Sequence, residues 1–432
     1  MVSQAVFIVI VLFFLYLIYR RIERIRSNIN LGRPREIKDH SKTRWKNVLL
    51  IAFGQKKMFK RIVPAIFHFI IYVGFILINI EVLEIIIDGV SGSHRAFVSY
   101  LGSFYTIMIS FFEIMALGVI VACLVFLIRR NILRIKRFHK VEMIGWPSLD
   151  ANLILVIEIL LMAAILTMNA TDLLLQEKNY PGYHSSGAFL ISDLITPLFE
   201  WLSAGTLFLI ERFCWWFHII GIFAFALYIT YSKHLHIFMA FPNTYFGSLE
   251  PMGKMNNMPE ITNEVKIMMG MPGSGEGPPE GLKFGARDIG DLTWKNIMDA
   301  YACTECGRCT SECPANLTGK KLSPRKIMMD TRDRAEELGE QMNAEKYLLE
   351  GYISKEEINA CTSCNACVEA CPVSINPLDI ILQLRRYVSM EESGSPQAWN
   401  AMFSNVETNF APWKFAASDR FKWGEELKNK NN

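Results

Sequence analysis

The chain has 432 residues, of which 51% are hydrophobic and 20% charged, with a net charge of +3 and a mean hydropathy of +0.22. So apolar a composition excludes an ordinary soluble protein and predicts membrane spans, and the length leaves room for more than one domain. The small net charge gives no reason to expect a nucleic-acid partner; its distribution along the chain is the informative part.

The first apolar run, Val6 to Tyr19, has no basic residue ahead of it and is followed at once by Arg20, Arg21, Arg24 and Arg26. A signal peptide carries its charge on the other side, so this run reads as an uncleaved first span, long enough for a bilayer if it begins near Val2. Four more runs follow: Ile62 to Ile87, Phe104 to Ile128, Leu153 to Met168 with its flanks, and Leu207 to Tyr231. The stretches 20–61 and 129–140 are dense in Arg and Lys, whereas the loops around 88–103 and 169–200 carry only Arg95 and Lys178. Loop charge therefore predicts an outside N-terminus and cytoplasmic basic loops, with everything after the fifth span also cytoplasmic.

From Phe241 to Phe284 periodicity is lost and Met, Pro and Gly accumulate, as in Gly273 to Pro279, which predicts a linker or loose surface segment. Helical patterning returns at Asp291. Ser323-Pro324 and Asn376-Pro377 look like helix starts, and Ser354 with Glu357 forms a capping box. The tail carries Trp399, Phe403, Phe410, Trp413, Phe415, Phe421 and Trp423 at irregular spacing, divided in expectation between the domain's own packing and a partner-docking surface.

Eight of the ten cysteines fall in two runs of the form C-x2-C-x2-C-x3-C-P: Cys303, Cys306, Cys309 and Cys313, then Cys361, Cys364, Cys367 and Cys371. This spacing wraps three thiolates around one cubane and sends the fourth to the other. It predicts one 4Fe-4S cluster on Cys303, Cys306, Cys309 and Cys371, and a second on Cys361, Cys364, Cys367 and Cys313. Paired zinc sites are the rival, but tetrahedral zinc has no use for the third step or for the repeated Cys-Pro ending. Two adjacent clusters read as an electron wire. The remaining Cys123 and Cys214 lie in apolar runs, so disulfides are not the theme and a reducing compartment is expected.

Of eight histidines, His40, His94, His139 and His184 fall in loops and read as solvated. His68, His218, His234 and His236 lie in or at the ends of spans, where polar groups are costly and invite a functional reading. On one continuous helix His218 and His236 would share a face about five turns, roughly 27 Å, apart, and His234 would point nearly the opposite way. His68 and His236 are both near the cytoplasmic side on antiparallel helices, the depth match that a bis-histidine haem b requires; hydrogen-bonded interfacial histidines are the alternative. For His218 the second span offers only Ile78 and Asn79 at the matching depth. Glu113 and Glu158 are candidates for proton transfer at a quinone pocket, and Glu211 beside Arg212 fits that role or an ion pair.

Two resemblances extend this reading. Pro64-Ala-Ile-Phe-His68, Trp216-Phe-His218 and Ser232-Lys-His-Leu-His236 resemble the cytochrome b subunit of respiratory nitrate reductase and its relatives in membrane-bound heterodisulfide reductases. The segment from Asp291 through Cys309 looks like the dicluster domain of heterodisulfide-reductase-related iron-sulfur oxidoreductases. The resemblance implies a quinone-linked membrane electron carrier with haem ligands at His68, His218 and His236. Diheme relatives carry a further His on the second span where this chain has Ile78, which leaves open whether one haem or two are held. Fused relatives also carry cysteine-rich CCG modules, absent from this sequence, so the implied partner is a CCG-type iron-sulfur protein or an electron-transferring flavoprotein.

The expected fold is an all-α membrane domain of five transmembrane helices plus a small, mostly α-helical 4Fe-4S dicluster domain. The expected boundaries are 1–240 for the cytochrome b-like part, 241–290 for the linker, 291–390 for the clusters and 391–432 for the tail. The expected role is electron transfer in the cytoplasmic membrane between quinone and a cytoplasmic redox subunit. The alternatives are a wiring anchor without a quinone site and a cluster-binding assembly factor.

Overall fold

The computed structural model describes residues 1–187, 189–272, 283–342 and 345–430; the run from Gly273 to Pro279 lies outside the described residues. Among the described residues, five helices are long and apolar enough to cross a membrane: α1 (Val2–Ile29), α2 (Ile62–Ser91), α3 (Ser103–Leu127), α4 (Trp146–Glu177) and α5 (Ala204–Ile229). α1 does begin at Val2, which supplies the length that the apolar run alone lacked. α4 packs on α5 and on α3, α3 packs on α2, and α1 lies against α2 and α5. Much of the apolar surface of α1 faces outward, including Val9, Leu12, Phe13 and Tyr16, as expected of a helix that meets lipid rather than protein.

Helix ends follow local chemistry. Ser203 accepts from the Thr206 amide at the start of α5, and Gly92, in the left-handed region at φ +78°, terminates α2. α5 stops at Ile229. The next residues form a turn, a short 3-10 segment Lys233–Leu235, and then α6 (His236–Tyr245). The sequence expectation of one helix running from His218 to His236 is therefore corrected. Asp150 on α4 accepts from the Ser232 hydroxyl (2.7 Å), the Lys233 amide (3.2 Å) and the Tyr228 hydroxyl, giving this stretch partners that a continuing helix would forgo.

The remaining elements are short helices. Pro324–Gly339, Lys355–Asn359 and Pro377–Met390 start where the caps predicted, with Ser323, Ser354 and Asn376 each accepting from a first-turn amide. Among the described residues there are no strands, only isolated bridges such as that between Arg33 and Thr293.

The cysteine-bearing part sits directly on one end of the bundle. Arg21 of α1 grips Glu336 with two hydrogen bonds (2.9 and 2.8 Å), and Asn28 donates to the Tyr301 hydroxyl (2.9 Å). Gly339 lets the two parts approach here, since a Cβ would fall 1.9 Å from Asn28 Oδ1 and that side chain would have to move. Arg325, fully buried, donates to Glu142 and to the Arg137 carbonyl (2.7 Å each). Several of the basic side chains that looked like simple topology markers thus hold the second domain in place.

The tail contains the helix Gln397–Asn409, and its aromatic residues are not core. Trp399, Phe403, Phe410, Trp413, Phe415, Phe421 and Trp423 are all exposed, so the share expected to pack internally does not.

Candidate redox site

The two cysteine runs fold alike. Each places left-handed residues before and after its second cysteine, Glu305 and Gly307 in the first and Ser363 and Asn365 in the second. Each then enters a short helix, Arg308–Glu312 or Ala366–Ala370. Left-handed turns of this kind point backbone N–H groups toward the enclosed space. Ser363 N donates to Cys361 Sγ (3.4 Å) and Ile375 N to Cys371 Sγ (3.3 Å).

The structure groups the thiols in the crossed manner. Cys313, Cys361, Cys364 and Cys367 line one small cavity. Cys371 sits instead with the first run: burial pushes its thiol up to about 11, and Cys306 adds to the shift. Burial likewise raises Cys309 well above the usual thiol value, helped by Cys306, Cys303 and Cys371, and lifts Cys367 to about 12, helped by Cys361 and Cys313. Thiols held so far from ionisation are poor free nucleophiles and become thiolates when iron supplies the compensating charge. Among the described residues no three ligand side chains converge on a single-ion site. Four thiols around a cubane stand further apart than four around one zinc.

The first set faces the bundle. Glu305, between Cys303 and Cys306, is buried and accepts from Lys233, which precedes His236 by one turn, and from Arg332 (2.9 Å). Burial alone would raise the Glu305 carboxyl, but Arg332 and Lys233 reverse this and hold it below its ordinary value. Arg308 donates to the Lys57 and Met58 carbonyls (3.3 Å each), just ahead of α2. The second set faces outward and includes Cys364, the one exposed thiol of the eight.

At the same end of the bundle, His68 and His236 face each other with ring centroids 6.4 Å apart and planes at 42°. His68 Nδ1 lies 3.1 Å from Gln55 Oε1, and His236 Nδ1 lies 3.1 Å from the Lys233 carbonyl. Both oxygens accept, so each Nδ1 carries the proton and each Nε2 is left as a free base. Burial drives His236 down to about 4, which keeps it neutral. Two imidazoles on opposite sides of one iron have centroids about 6 Å apart, from iron–nitrogen bonds of ~2 Å plus the ring radii. The pair can therefore hold a haem iron.

His234 does not point away from this pair. Its ring centroid is 5.4 Å from that of His236, and its Nε2 is 3.5 Å from Glu158 Oε1, because the turn at 230–235 rotates it back toward α4. Glu158 also accepts from the Cys123 thiol (3.1 Å). His218 lies deeper in α5 and is fully buried; its Nδ1 is 2.9 Å from the Leu161 carbonyl, and its Nε2 has no partner.

Glu113 is committed elsewhere. It accepts from the Ile191 and Ser192 amides (2.8 and 3.1 Å), the Ser192 hydroxyl and Asn169 (3.1 Å), thereby tying down the short helix Leu190–Ile195. Glu211 pairs with Arg212 and accepts from Tyr183 (2.6 Å).

His94, expected to be solvated, instead places Nε2 3.2 Å from buried Asp172, which also holds Arg95. Arg95 in turn donates to Tyr105 (3.0 Å) and Asn169 (2.8 Å). Sequence reasoning missed this network at the far end of the bundle. Its available signal was three acidic residues inside apolar runs, Glu81, Glu84 and Asp172.

Residues 302–375 match the family model of the 4Fe-4S dicluster domain. The chain is 26% identical to the probable iron-sulfur-binding oxidoreductase FadF of Bacillus subtilis, over 98% of this chain and 61% of that protein. It is 29% identical to the EtfAB:quinone oxidoreductase of Syntrophomonas wolfei over 54% of this chain and 34% of that protein. It is 28% identical to a probable membrane-anchored ferredoxin of Chromohalobacter salexigens over 35% of this chain and 27% of that protein. The chain thus spans about three fifths of FadF and about a third and a quarter of the other two. No solved structure matches it. The chain carries a 4Fe-4S dicluster domain on a bundle of membrane-type helices, and its homologues are iron-sulfur oxidoreductases.

Proposed function

We propose that this protein is a membrane-anchored electron-transfer subunit that passes electrons between the quinone pool and a redox partner on the cluster side. The observation that carries the reading is the contact between Lys233, in the turn that bears His236, and Glu305, in the loop of the first cysteine set. It supports an order in which the facing histidines neighbour the inner cysteine set, with the outer set and its exposed Cys364 beyond. The order is then His68 and His236, the set with Cys303, the set with Cys361, and a docked partner.

Haem b, held by His68 and His236, would supply one-electron chemistry at the membrane end. Gln55 and the Lys233 carbonyl fix the two ring tautomers, and the buried Lys233–Glu305–Arg332 group holds the inner loop against the bundle. One facing pair argues for one haem. The basic loops 20–61 and 129–140 lie on the cluster side, so we place that side in the cytoplasm and the N-terminus outside. A relative named for quinone and EtfAB supports quinone as the membrane substrate and an electron-transferring flavoprotein as the soluble partner, with a CCG-type subunit as the other candidate.

The test uses the purified full chain in lipid vesicles. Addition of a short-chain quinol under anaerobic conditions should produce the electron paramagnetic resonance signal of reduced 4Fe-4S clusters, and His68→Ala should slow this by at least about tenfold. Clusters that reduce equally fast in the variant, or that accept electrons from dithionite but never from quinol, would refute the reading.

A further inference from the structure

At the end of the bundle opposite the cysteines, α1, α2, α4 and α5, with the loops at 92–95 and 181–183, line a partly open cavity of about 370 Å³. Resting on the quinone-linked reading above, we propose that this cavity binds the hydroquinone head group, with the Glu81 carboxylate accepting a hydrogen bond from a ring hydroxyl. The volume falls in the range of small-ligand sites, about 300–1,000 Å³.

Five carboxylates line the cavity, and four are already engaged. Glu84 accepts from the Phe97 amide and the Tyr105 hydroxyl (2.8 Å each). Asp88 accepts from the Arg95 and Ala96 amides (2.9 and 3.0 Å). Asp172 holds Arg95 and His94, and Glu211 holds Arg212 and Tyr183. Glu81, itself buried, is the one of the five with a buried side-chain oxygen that has no hydrogen-bond partner. A buried, unmatched acceptor is costly to keep, and a donor from a ligand removes that cost.

The surroundings select the class of donor. A metal cation requires several free oxygen ligands, and the other carboxylates are committed to protein donors. An anion would meet five acidic side chains against two arginines, Arg95 and Arg212, that are already paired with Asp172 and Glu211. A neutral aromatic diol suits both the carboxylate and the flanking Phe7, Phe208, Trp215 and Trp216. His94, oriented by Asp172, and Tyr183 stand on the same wall to meet ring oxygens.

The probe is 2-heptyl-4-hydroxyquinoline N-oxide, a fluorescent quinol analogue, titrated into the purified full chain. Wild type should bind at one site. Glu81→Leu should weaken binding by about ten- to a hundredfold, the usual value of a hydrogen bond to a charged group. The cluster resonance signals and the melting temperature should be retained, because Leu removes a buried oxygen that has no hydrogen-bond partner in the fold. Unchanged affinity in Glu81→Leu would overturn the proposal while leaving the quinone-linked reading intact. A wild-type chain that binds no analogue would sink that broader reading as well.

Discussion

Lys233 and Glu305 meet across the junction of the two domains, both buried, one a single turn from His236 and the other between two cysteines of the inner set. Removing one partner of a buried ion pair leaves the other charge uncompensated, at a cost of about 3–5 kcal/mol. Lys233→Met should therefore lower the melting temperature of the purified protein and release iron from the inner set first. Thermal unfolding followed together with cluster absorbance checks this, and unchanged melting would show that the pair does not hold the domains together.

The crossed grouping of thiols makes a prediction that linear sequence order would not. Cys371→Ser should disturb the cluster held by Cys303, Cys306 and Cys309, and Cys313→Ser the one at exposed Cys364. Resonance spectra of the two variants should each lose a different signal. If Cys371→Ser removed the same signal as Cys361→Ser, the grouping would be wrong.

Glu113 acts as a staple for the segment at 190–195. Glu113→Ala strands two amides, a hydroxyl and Asn169, and should destabilise by on the order of 3 kcal/mol. Glu113→Gln, which keeps an acceptor, should recover part of that stability and retain quinol-driven cluster reduction. A fully folded Glu113→Gln protein without that reduction would return Glu113 to the proton-transfer role first expected of it.

Docking of the cluster domain should depend on acid. Burial would raise Glu142, but its hydrogen bonds from Ser323 and Arg325 outweigh this and hold it below the ordinary value of 4.5. A carboxyl lowered in the folded state contributes stability above its unfolded pKa and loses it as pH falls through the folded value. Hydrogen exchange in the loop 133–145 should therefore rise on acidification below about 4.5, and Glu142→Gln should flatten that dependence.

The two cysteine runs were legible because their spacing is a local signal, and the five membrane-type helices because each carries an apolar run in the sequence. Caps at Ser323, Ser354 and Asn376 were legible for the same local reason. The turn after Ile229 was not, since it contains neither Gly nor Pro and is held by Asp150, 82 residues away from Ser232. That distant contact is what brings His234 back to Glu158 and His236. His94 looked like a loop residue because its partner, Asp172, sits at the end of another span. The tail aromatics had no readable periodicity as a group, although Trp399, Met402, Phe403 and Val406 form one exposed stripe of their helix.

The most direct test of the electron path is the reduced-minus-oxidised absorption spectrum of the purified chain. The facing pair predicts a b-type haem band in wild type, abolished in His68→Ala and in His236→Ala with both clusters retained, and preserved in His218→Ala and His94→Ala. A wild-type protein without that band, or a band that survives loss of both His68 and His236, would contradict the account.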